Sequence, residues 1–271
     1  MEEQPIQINQ YSQASYCVEV FFNEISLATG TCFFVKRAQK IFLVTNWHIV
    51  SGKHADTKEL LEKETGAIPN KLRIFVPRNN SDGTMQYGDD SYIDIDLYDE
   101  YGAPLWYEKC IHERMVDVAL IPMKDVDFCY LAIDDAEEPF NERVHVEIAS
   151  EIYIIGFPFA KDTGYIPIWK RGSIASEPLI DMDGMPYFYA DTATKKGMSG
   201  SPVIYYKDRP IVMVDNDKGK FSRHWTKFIG IYSGRIGANS DVRNDAQLGR
   251  IWKASVIDEI IALYSNNESG K

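Results

Sequence analysis

The stretch Lys195–Ile204, KKGMSGSPVI, places two glycines, two serines and a proline directly before an apolar run. Glycine adopts backbone conformations that other residues avoid, so a tight bend around Ser199 is expected. Such a bend has two interpretations. It is either a plain surface turn, or a turn that holds a serine hydroxyl beside backbone N–H groups. Residues elsewhere in the chain distinguish the two.

The bulk composition excludes several classes of protein. The chain has 271 residues, of which 45% are hydrophobic and 13% aromatic, enough for a large core and too many for a disordered chain. Its formal net charge of −11 repels phosphate backbones, so nucleic acid is not an expected partner. No apolar run approaches the roughly 18 residues that a membrane-spanning helix needs, so no membrane association is expected.

The first residues and the cysteines bear on the cellular compartment. The start, MEEQPIQINQYSQ, lacks the basic region and apolar core of a secretory signal. The four cysteines show neither close pairing nor the C-x-x-C spacing of metal sites. We therefore expect reduced thiols packed as small hydrophobic side chains, and a cytoplasmic protein.

Short β-rich runs dominate the chain. They are rich in Val, Ile, Phe, Tyr and Thr, and most are bounded by Gly, Pro, Asn or Asp. This spacing predicts a barrel or sandwich rather than a parallel sheet with crossover helices. Two segments have helical patterns, ADTKELLEKETG (55–66) and DAQLGRIWKASVIDEIIALYS (245–265). The acidic segment Ile133–Glu142 is expected to link two halves of the chain.

Three polar residues stand where they could do chemistry. His48 follows an apolar strand in FLVTNWHIV, and Asp117 interrupts the apolar strand MVDVALIPM, where an unpaired carboxylate would be costly. Each has an ordinary explanation: a hydrogen-bonded histidine, an aspartate facing water, and a serine in a glycine-rich turn. Together they are the set that a Ser–His–Asp hydrolase needs, in which His48 takes the proton of Ser199 and Asp117 orients the imidazole.

The glycine two positions before Ser199 has a use in the same chemistry. The attacked carbonyl oxygen becomes an oxyanion, and the backbone N–H groups of Gly197 and Ser199 are expected to receive it. Gly197 has no Cβ, so its backbone can approach a substrate closely.

In this order, FLVTNWHIV, DVALI and GMSGSPVI resemble the three active-site blocks of the trypsin-like (chymotrypsin-fold) serine peptidases. The order His, Asp, Ser differs from that of subtilisins and α/β-hydrolases, and the G-x-S-x-G elbow of the latter fails because position 201 is serine. The blocks ATGTCFFV, IIGFP and FIGIYSG are also similar to strands of the family. The resemblance extends from about Tyr16 to Gly237.

The resemblance implies an all-β fold of two antiparallel six-stranded β-barrels, with the active site in the cleft between them. We accordingly expect a first barrel with the histidine and the aspartate at residues 14–132. A second barrel with the serine is expected at residues 143–247. A C-terminal α-helix is expected at residues 248–266, packed on the body.

The resemblance also carries individual roles onto matching positions. Ser199 is then the nucleophile, His48 the general base and acid, and Asp117 the orienting acid. Gly197 and Ser199 supply the oxyanion hole. Ser233 matches the family's serine beside the buried acid, and we expect it to donate a hydrogen bond to Asp117.

The chain departs from the secreted members of the family at three positions. Met198 stands where members activated by zymogen cleavage have an aspartate, so activation by that route is not expected. Ile49 follows the histidine in place of a cysteine, which fits a reducing compartment. Ser201 replaces a frequent glycine. These features are closer to intracellular, bacterial-type members.

The resemblance further places the substrate pocket. Its expected lining consists of Ala193, Thr194, Ser233, Gly234 and Arg235. Ala193 stands at the base, where specificity for Arg or Lys requires an aspartate. Thr194 and Arg235 would receive an acidic side chain through charge-assisted hydrogen bonds, so cleavage after Glu or Asp is one hypothesis. The alternative is that Arg235 points to solvent.

Three functional interpretations stay open. The first is a serine endopeptidase that acts on proteins or peptides through an acyl-enzyme. The second is a latent or inactive protease-fold binding module, whose cleft needs a regulatory protein partner to open. The third, an esterase of another fold, is disfavoured by the motif order and the β pattern. The sequence has no metal-ligand cluster, phosphate loop or dinucleotide fingerprint, so neither a metal nor a cofactor is expected.

Overall fold

A computed structural model of the chain shows two β-rich units that follow one another in sequence. It describes residues 8–79, 85–124, 128–136, 144–208, 211–215, 218–222, 225–235 and 248–268. Within these ranges, no helix has the length and apolar character needed to cross a membrane.

The first unit is a curled antiparallel sheet with short hairpins and helices beside it. Six strands form the sheet, in the order β10–β3–β2–β1–β4–β7. The pairs β5–β6 and β8–β9 lie outside it. The elements are α1 (Gln10–Gln13), β1 (Ser15–Phe22), β2 (Ile25–Arg37), β3 (Lys40–Thr45), α2 (Trp47–Ser51), β4 (Lys71–Phe75), β5 (Arg78–Asn79), β6 (Met85–Gln86), β7 (Tyr92–Asp96), β8 (Cys110–Ile111), β9 (Arg114–Met115), β10 (Ala119–Met123) and α3 (Ile133–Ala136).

The second unit is a closed antiparallel barrel followed by a helix. The barrel strands run β11–β12–β13–β18–β17–β14, and the hairpin β15–β16 lies outside the barrel. The elements are β11 (Glu151–Gly156), a 3-10 turn (Ala160–Thr163), β12 (Ile168–Ile174), β13 (Tyr187–Asp191), β14 (Pro202–Lys207), β15 (Ile211–Asp215), β16 (Lys218–Ser222), β17 (Trp225–Arg235), β18 (Leu248–Lys253) and α4 (Ser255–Glu268).

The predicted all-β, chymotrypsin-like fold is confirmed, with one difference between its halves. The second barrel closes through backbone hydrogen bonds, whereas the first sheet curls into a half-barrel whose edges are β7 and β10. The two units share a core between them. Phe33 of β2 meets Phe228 of β17 edge to face, with ring centroids 5.3 Å apart.

The C-terminal helix begins later than predicted. Leu248–Lys253, expected to be helical, forms β18, which pairs with both β13 and β17 and closes the barrel. Pairing on both sides satisfies the backbone polar groups of this buried segment, and this outweighs its helical spacing of apolar residues. The second barrel therefore extends beyond residue 247, and α4 starts at Ser255. Val256 and Ile260 of α4 are fully buried.

The other predicted helix does not form. Residues 55–66 make turns instead, and a β-bridge between Lys53 and Leu60 folds the segment back on itself. Lys58 has a left-handed backbone, with φ of +63°, which a helix does not allow. Ile133–Ala136, the start of the predicted linker, forms α3, and residues 137–142 of that linker lie outside the described residues.

Each end of the chain packs against the opposite unit. The Tyr11 hydroxyl of α1 donates to Thr226 Oγ1 of β17 at 2.9 Å. Tyr264 of α4 stacks on Tyr107 of the first unit, with ring centroids 3.9 Å apart. These crossed contacts hold the two units together.

Candidate active site

His48 and Asp117 come together because their strands pair. His48 lies in α2 directly after β3, and Asp117 lies just before β10. Thr45 at the end of β3 is opposite Ala119 at the start of β10. His48 Nδ1 lies 2.7 Å from Asp117 Oδ2, and the His48 backbone N–H donates to Asp117 Oδ1 at 2.8 Å. One carboxylate therefore fixes both the ring and the backbone of His48.

Asp117 is buried and held from several sides. Asp117 is 3% exposed, and its backbone carbonyl accepts a 2.7 Å hydrogen bond from the Asn46 side-chain amide. The Ser233 hydroxyl donates to Asp117 Oδ2, as the sequence predicted. Burial alone would raise the pKa of Asp117, but attraction to His48 and the hydrogen bonds from His48 and Ser233 outweigh it and hold the pKa below its ordinary value. The carboxylate is therefore ionised at neutral pH.

Ser199 lies in the loop between β13 and β14, which packs against the first unit. The Thr31 N–H donates to the Ser199 carbonyl at 2.8 Å. A Cβ placed on Gly30 would lie 2.6 Å from Ile49 Cδ1 and 3.4 Å from the Ser199 carbonyl oxygen. The helix that carries His48 and the loop that carries Ser199 therefore meet at Gly30. In the described part of the chain, the half-buried Ser199 makes no side-chain hydrogen bond.

The bend at Ser199 requires its glycines. Gly197 has a φ of +92°, and a Cβ there would lie 2.4 Å from the Phe157 carbonyl oxygen. Gly200 has a φ of +83°, and its Cβ would lie 2.0 Å from the Thr31 carbonyl oxygen. The N–H groups of Gly197 and Ser199 donate to no acceptor among the residues that the structure describes. Two backbone donors are thus left available beside the Ser199 side chain.

Met198 and Ser201 point into the protein. Met198 is 1% exposed and belongs to the apolar core of the second barrel, with Ile154 and Val203. The position that holds an aspartate in cleavage-activated members is therefore filled by core packing here. Ser201 is fully buried, and its hydroxyl has no partner within the described ranges.

The five predicted pocket residues have different environments. Ser233 is engaged with the buried carboxylate. Thr194 is buried, whereas Ala193 and Arg235 are exposed. Gly234 has a φ of +136°, with open space where a Cβ would stand. Residues 236–247, which follow this segment, lie outside the described residues.

Tyr232, the tyrosine of the block FIGIYSG, is a candidate pocket residue that was not predicted. It lies in β17, is 1% exposed, and its hydroxyl is hydrogen-bonded to the Thr194 hydroxyl. Its ring packs against the backbone of Gly249, where a Cβ would lie only 2.6 Å from Tyr232 Cε2. Burial raises the pKa of Tyr232, while the Thr194 bond and the positive charge of Arg235 oppose that rise. The Thr194 and Tyr232 hydroxyls are therefore a buried pair behind the exposed segment that carries the positive charge of Arg235.

A cavity of about 400 Å³ lies beside strands β11 to β13. It shares only Ala193 with the predicted pocket. Its lining is Ala149, Glu151, Arg171, Gly172, Ser173, Asp191, Thr192 and Ala193. In the part of the chain that the structure covers, no group of three or more His, Cys, Asp or Glu side chains is arranged to hold a metal ion.

Known proteins resemble this chain in a family model and in solved structures. No curated protein sequence matches the chain. Among solved structures, the active form of the Rv3671c protease from M. tuberculosis is similar over 93% of this chain and 81% of its own, with 13% identity and a TM-score of 0.48. The serine endoprotease from Yersinia pestis is similar over 96% of this chain and 67% of its own, with 12% identity and a TM-score of 0.49. Residues 30–211 match the family model described as "trypsin-like peptidase domain". This match spans more than half of the chain and contains the candidate His, Asp and Ser, so the chain belongs to the family of trypsin-like peptidase domains.

Proposed function

We propose that the protein is a serine endopeptidase that hydrolyses peptide bonds in proteins through an acyl-enzyme formed on Ser199. The observation that carries this proposal is the buried, ionised Asp117 bound to His48 Nδ1, on the helix that meets the Ser199 loop. A carboxylate so placed has little use in a plain core, where its burial is costly. It suits a histidine that must accept and release a proton.

The proposed reaction follows from these contacts. Because Asp117 holds Nδ1 of His48, the opposite nitrogen, Nε2, is the one left to take a proton from Ser199. Ser199 Oγ then attacks the substrate carbonyl carbon, and His48 returns the proton to the leaving amine as the peptide bond breaks. Water attacks the acyl-enzyme in the same way, and its proton passes through His48 to the departing Ser199 oxygen.

The oxyanion formed in each step needs donors that are already in place. The N–H groups of Gly197 and Ser199, which donate to no acceptor in the described ranges, are the proposed donors. The left-handed backbone of Gly197, closed in by the Phe157 carbonyl, restricts how that peptide can turn. Fixed donors do not have to reorganise when the charge develops, which is why such sites accelerate acyl transfer.

We also propose that the substrate residue before the cleaved bond is acidic. The Thr194 and Tyr232 hydroxyls provide polar groups behind the segment that carries Arg235. A substrate carboxylate could accept hydrogen bonds from the hydroxyls and pair with the guanidinium. An apolar side chain there would leave buried hydroxyls facing it, at a cost. The cytoplasmic location and the regulatory partner stay predictions from the sequence.

The proposal is tested by labelling with a fluorophosphonate, which reacts with an activated serine. Wild type should be labelled, and Ser199→Ala and His48→Ala should not. Ser26→Ala, which removes an exposed serine on β2, is the matched control and should label like wild type. A folded wild type that does not label would favour the latent binding module instead.

A further inference from the structure

Thr31 on β2 joins the first unit to the nucleophile loop of the second. It is fully buried. Its backbone N–H donates to the Ser199 carbonyl at 2.8 Å, and its carbonyl accepts from the Thr45 hydroxyl at 2.9 Å. Its own hydroxyl donates to the Gly197 carbonyl at 2.8 Å and accepts from the Phe157 N–H at 3.2 Å.

The hydroxyl of Thr31 therefore bridges two separate segments of the second unit. One is the segment after β11, which begins with Phe157, and the other is the loop at Gly197. These segments also touch directly, because the Phe157 carbonyl closes the space beside Gly197 Cα. Only a side chain that both donates and accepts at this position can serve both partners, so valine, which has the same shape, cannot replace threonine.

The bridge acts on the peptide units next to those that carry the oxyanion donors. The Phe157 carbonyl restricts φ of Gly197, and the Thr31 hydroxyl fixes the direction of the Gly197 carbonyl, which sets ψ. The Thr31 N–H holds the Ser199 carbonyl in the same way. The Ser199 N–H lies between these two carbonyls, so fixing both of them orients it. The Gly197 N–H is oriented because φ and ψ of its own residue are both restricted.

We propose that Thr31 is a positioning residue for the oxyanion hole, acting through the carbonyl of Gly197. This inference rests on the proposed peptidase function. Thr31 touches no substrate in this proposal. Its hydroxyl keeps the Gly197 and Ser199 donors aimed at one point, so its loss should weaken the transition state more than the binding of the ground state.

The chain offers a matched control in Thr226. It is also buried, at 5% exposed, and its hydroxyl accepts from the Tyr11 hydroxyl between the two units. It makes no hydrogen bond to the nucleophile loop in the described ranges. Thr226→Val therefore removes a comparable hydroxyl and leaves the Gly197 peptide untouched.

The experiment compares Thr31→Val, Thr31→Ser and Thr226→Val by steady-state kinetics on a peptide ester substrate. Thr31→Val should lower kcat about 10-fold and leave KM within about twofold, because a hydrogen bond made to hold the transition-state donors is lost. Thr31→Ser should restore kcat, and Thr226→Val should keep it. The pH at which kcat is half-maximal should not move, because His48 and Asp117 keep their contacts.

Three results would overturn the proposal: an unchanged kcat in folded Thr31→Val, a loss in KM alone, or an equal loss in Thr226→Val. Should Thr31→Val fail to fold, Thr31→Ala replaces it in the same comparison. The backbone amide resonances of Gly197 and Ser199 give a readout without catalysis. They should shift in Thr31→Val and not in Thr226→Val. If wild type turns over no substrate, the proposed function fails, and unchanged resonances would separately reject the positioning role.

Discussion

The two sides of the candidate site are held in different ways. On the first unit, His48 and Asp117 are fixed by hydrogen bonds that involve side chains, with Ser233 reaching across from the second unit. On the second unit, the Ser199 loop is fixed through its backbone, by Thr31 and by the close approach of the Phe157 segment. The acid–base half thus depends on the chemistry of a few side chains, and the nucleophile half depends on the path of the chain. Substitutions on each side should fail in correspondingly different ways.

The largest effect is expected for Asp117→Asn. The amide would present an N–H group to His48 Nδ1 and favour the wrong imidazole tautomer, so kcat should fall by about 10⁴ while the fold is kept. The measurement is kcat on a peptide ester at neutral pH, with thermal unfolding as the check on folding. Asp94→Asn is the control, since Asp94 pairs with Arg73 on an exposed strand and should leave kcat unchanged. A loss of less than tenfold in Asp117→Asn would contradict the proposed role of the carboxylate.

Gly197→Ala tests the backbone side, and the expected loss in kcat is about 10²–10³, the effect of losing one oxyanion donor. A Cβ cannot fit beside the Phe157 carbonyl, so the peptide must turn and take its N–H away from the substrate. Gly164→Ala is the matched control. It also has a left-handed φ, of +61°, but nothing lies within 4 Å of its Cβ. Equal kcat values for the two variants would contradict the proposed role of the Gly197 N–H in the oxyanion hole.

The same contrast explains how much the sequence could predict. His48, Asp117 and Ser199 could be predicted because each has a side-chain type that a Ser–His–Asp site requires, and Ser233 because its position matches that of a serine in the family. Thr31 could not be found in this way. It belongs to an apolar strand, ATGTCFFV, and its importance comes from partners more than a hundred residues away in sequence.

The wrong helix prediction at Leu248–Lys253 and the failure to predict Tyr232 have a similar cause. Leu248–Lys253 has helical spacing of apolar residues, but β13 and β17 lie on either side and make it a strand. Tyr232 looks like one more aromatic residue of a buried strand until Thr194 is placed beside its hydroxyl. The local sequence pattern shows which structures a segment can adopt. Contacts with residues that are distant in sequence decide which of these structures forms.

A smaller effect is expected at Arg235, which bears on specificity rather than on the chemical step. Arg235→Ala should lower kcat/KM about 10-fold for a peptide with Glu before the cleaved bond, through loss of one charge-assisted hydrogen bond. It should leave a matched peptide with Gln almost unchanged, because the neutral amide gains little from the cation. A peptide library cleaved equally well after large apolar residues by wild type would reject the acidic preference itself.

The smallest expected effect is on stability. It tests whether the Ser233 hydroxyl donates its hydrogen bond to an ionised Asp117. The pKa of Asp117 is lowered in the folded protein, so its contribution to stability is present above its unfolded pKa of about 3.9 and is lost as pH falls through the folded pKa. Ser233→Ala removes one hydrogen bond to the ionised form, so the free energy of unfolding should fall by about 1.5 kcal/mol at pH 7. The loss should shrink as pH falls through the lowered pKa of folded Asp117, because protonation weakens that bond.

Ser91→Ala supplies the comparison for this last prediction. The Ser91 hydroxyl is also buried, but it donates to the Val76 carbonyl, which does not titrate. Its loss should therefore lower the free energy of unfolding by the same amount at pH 7 and at acid pH, as measured by urea unfolding over a series of pH values. If Ser233→Ala behaved like Ser91→Ala, the Ser233 hydroxyl would be only a packing contact. The acid–base half would then rest on His48 and Asp117 alone, and the second unit would contribute only the backbone-held nucleophile loop.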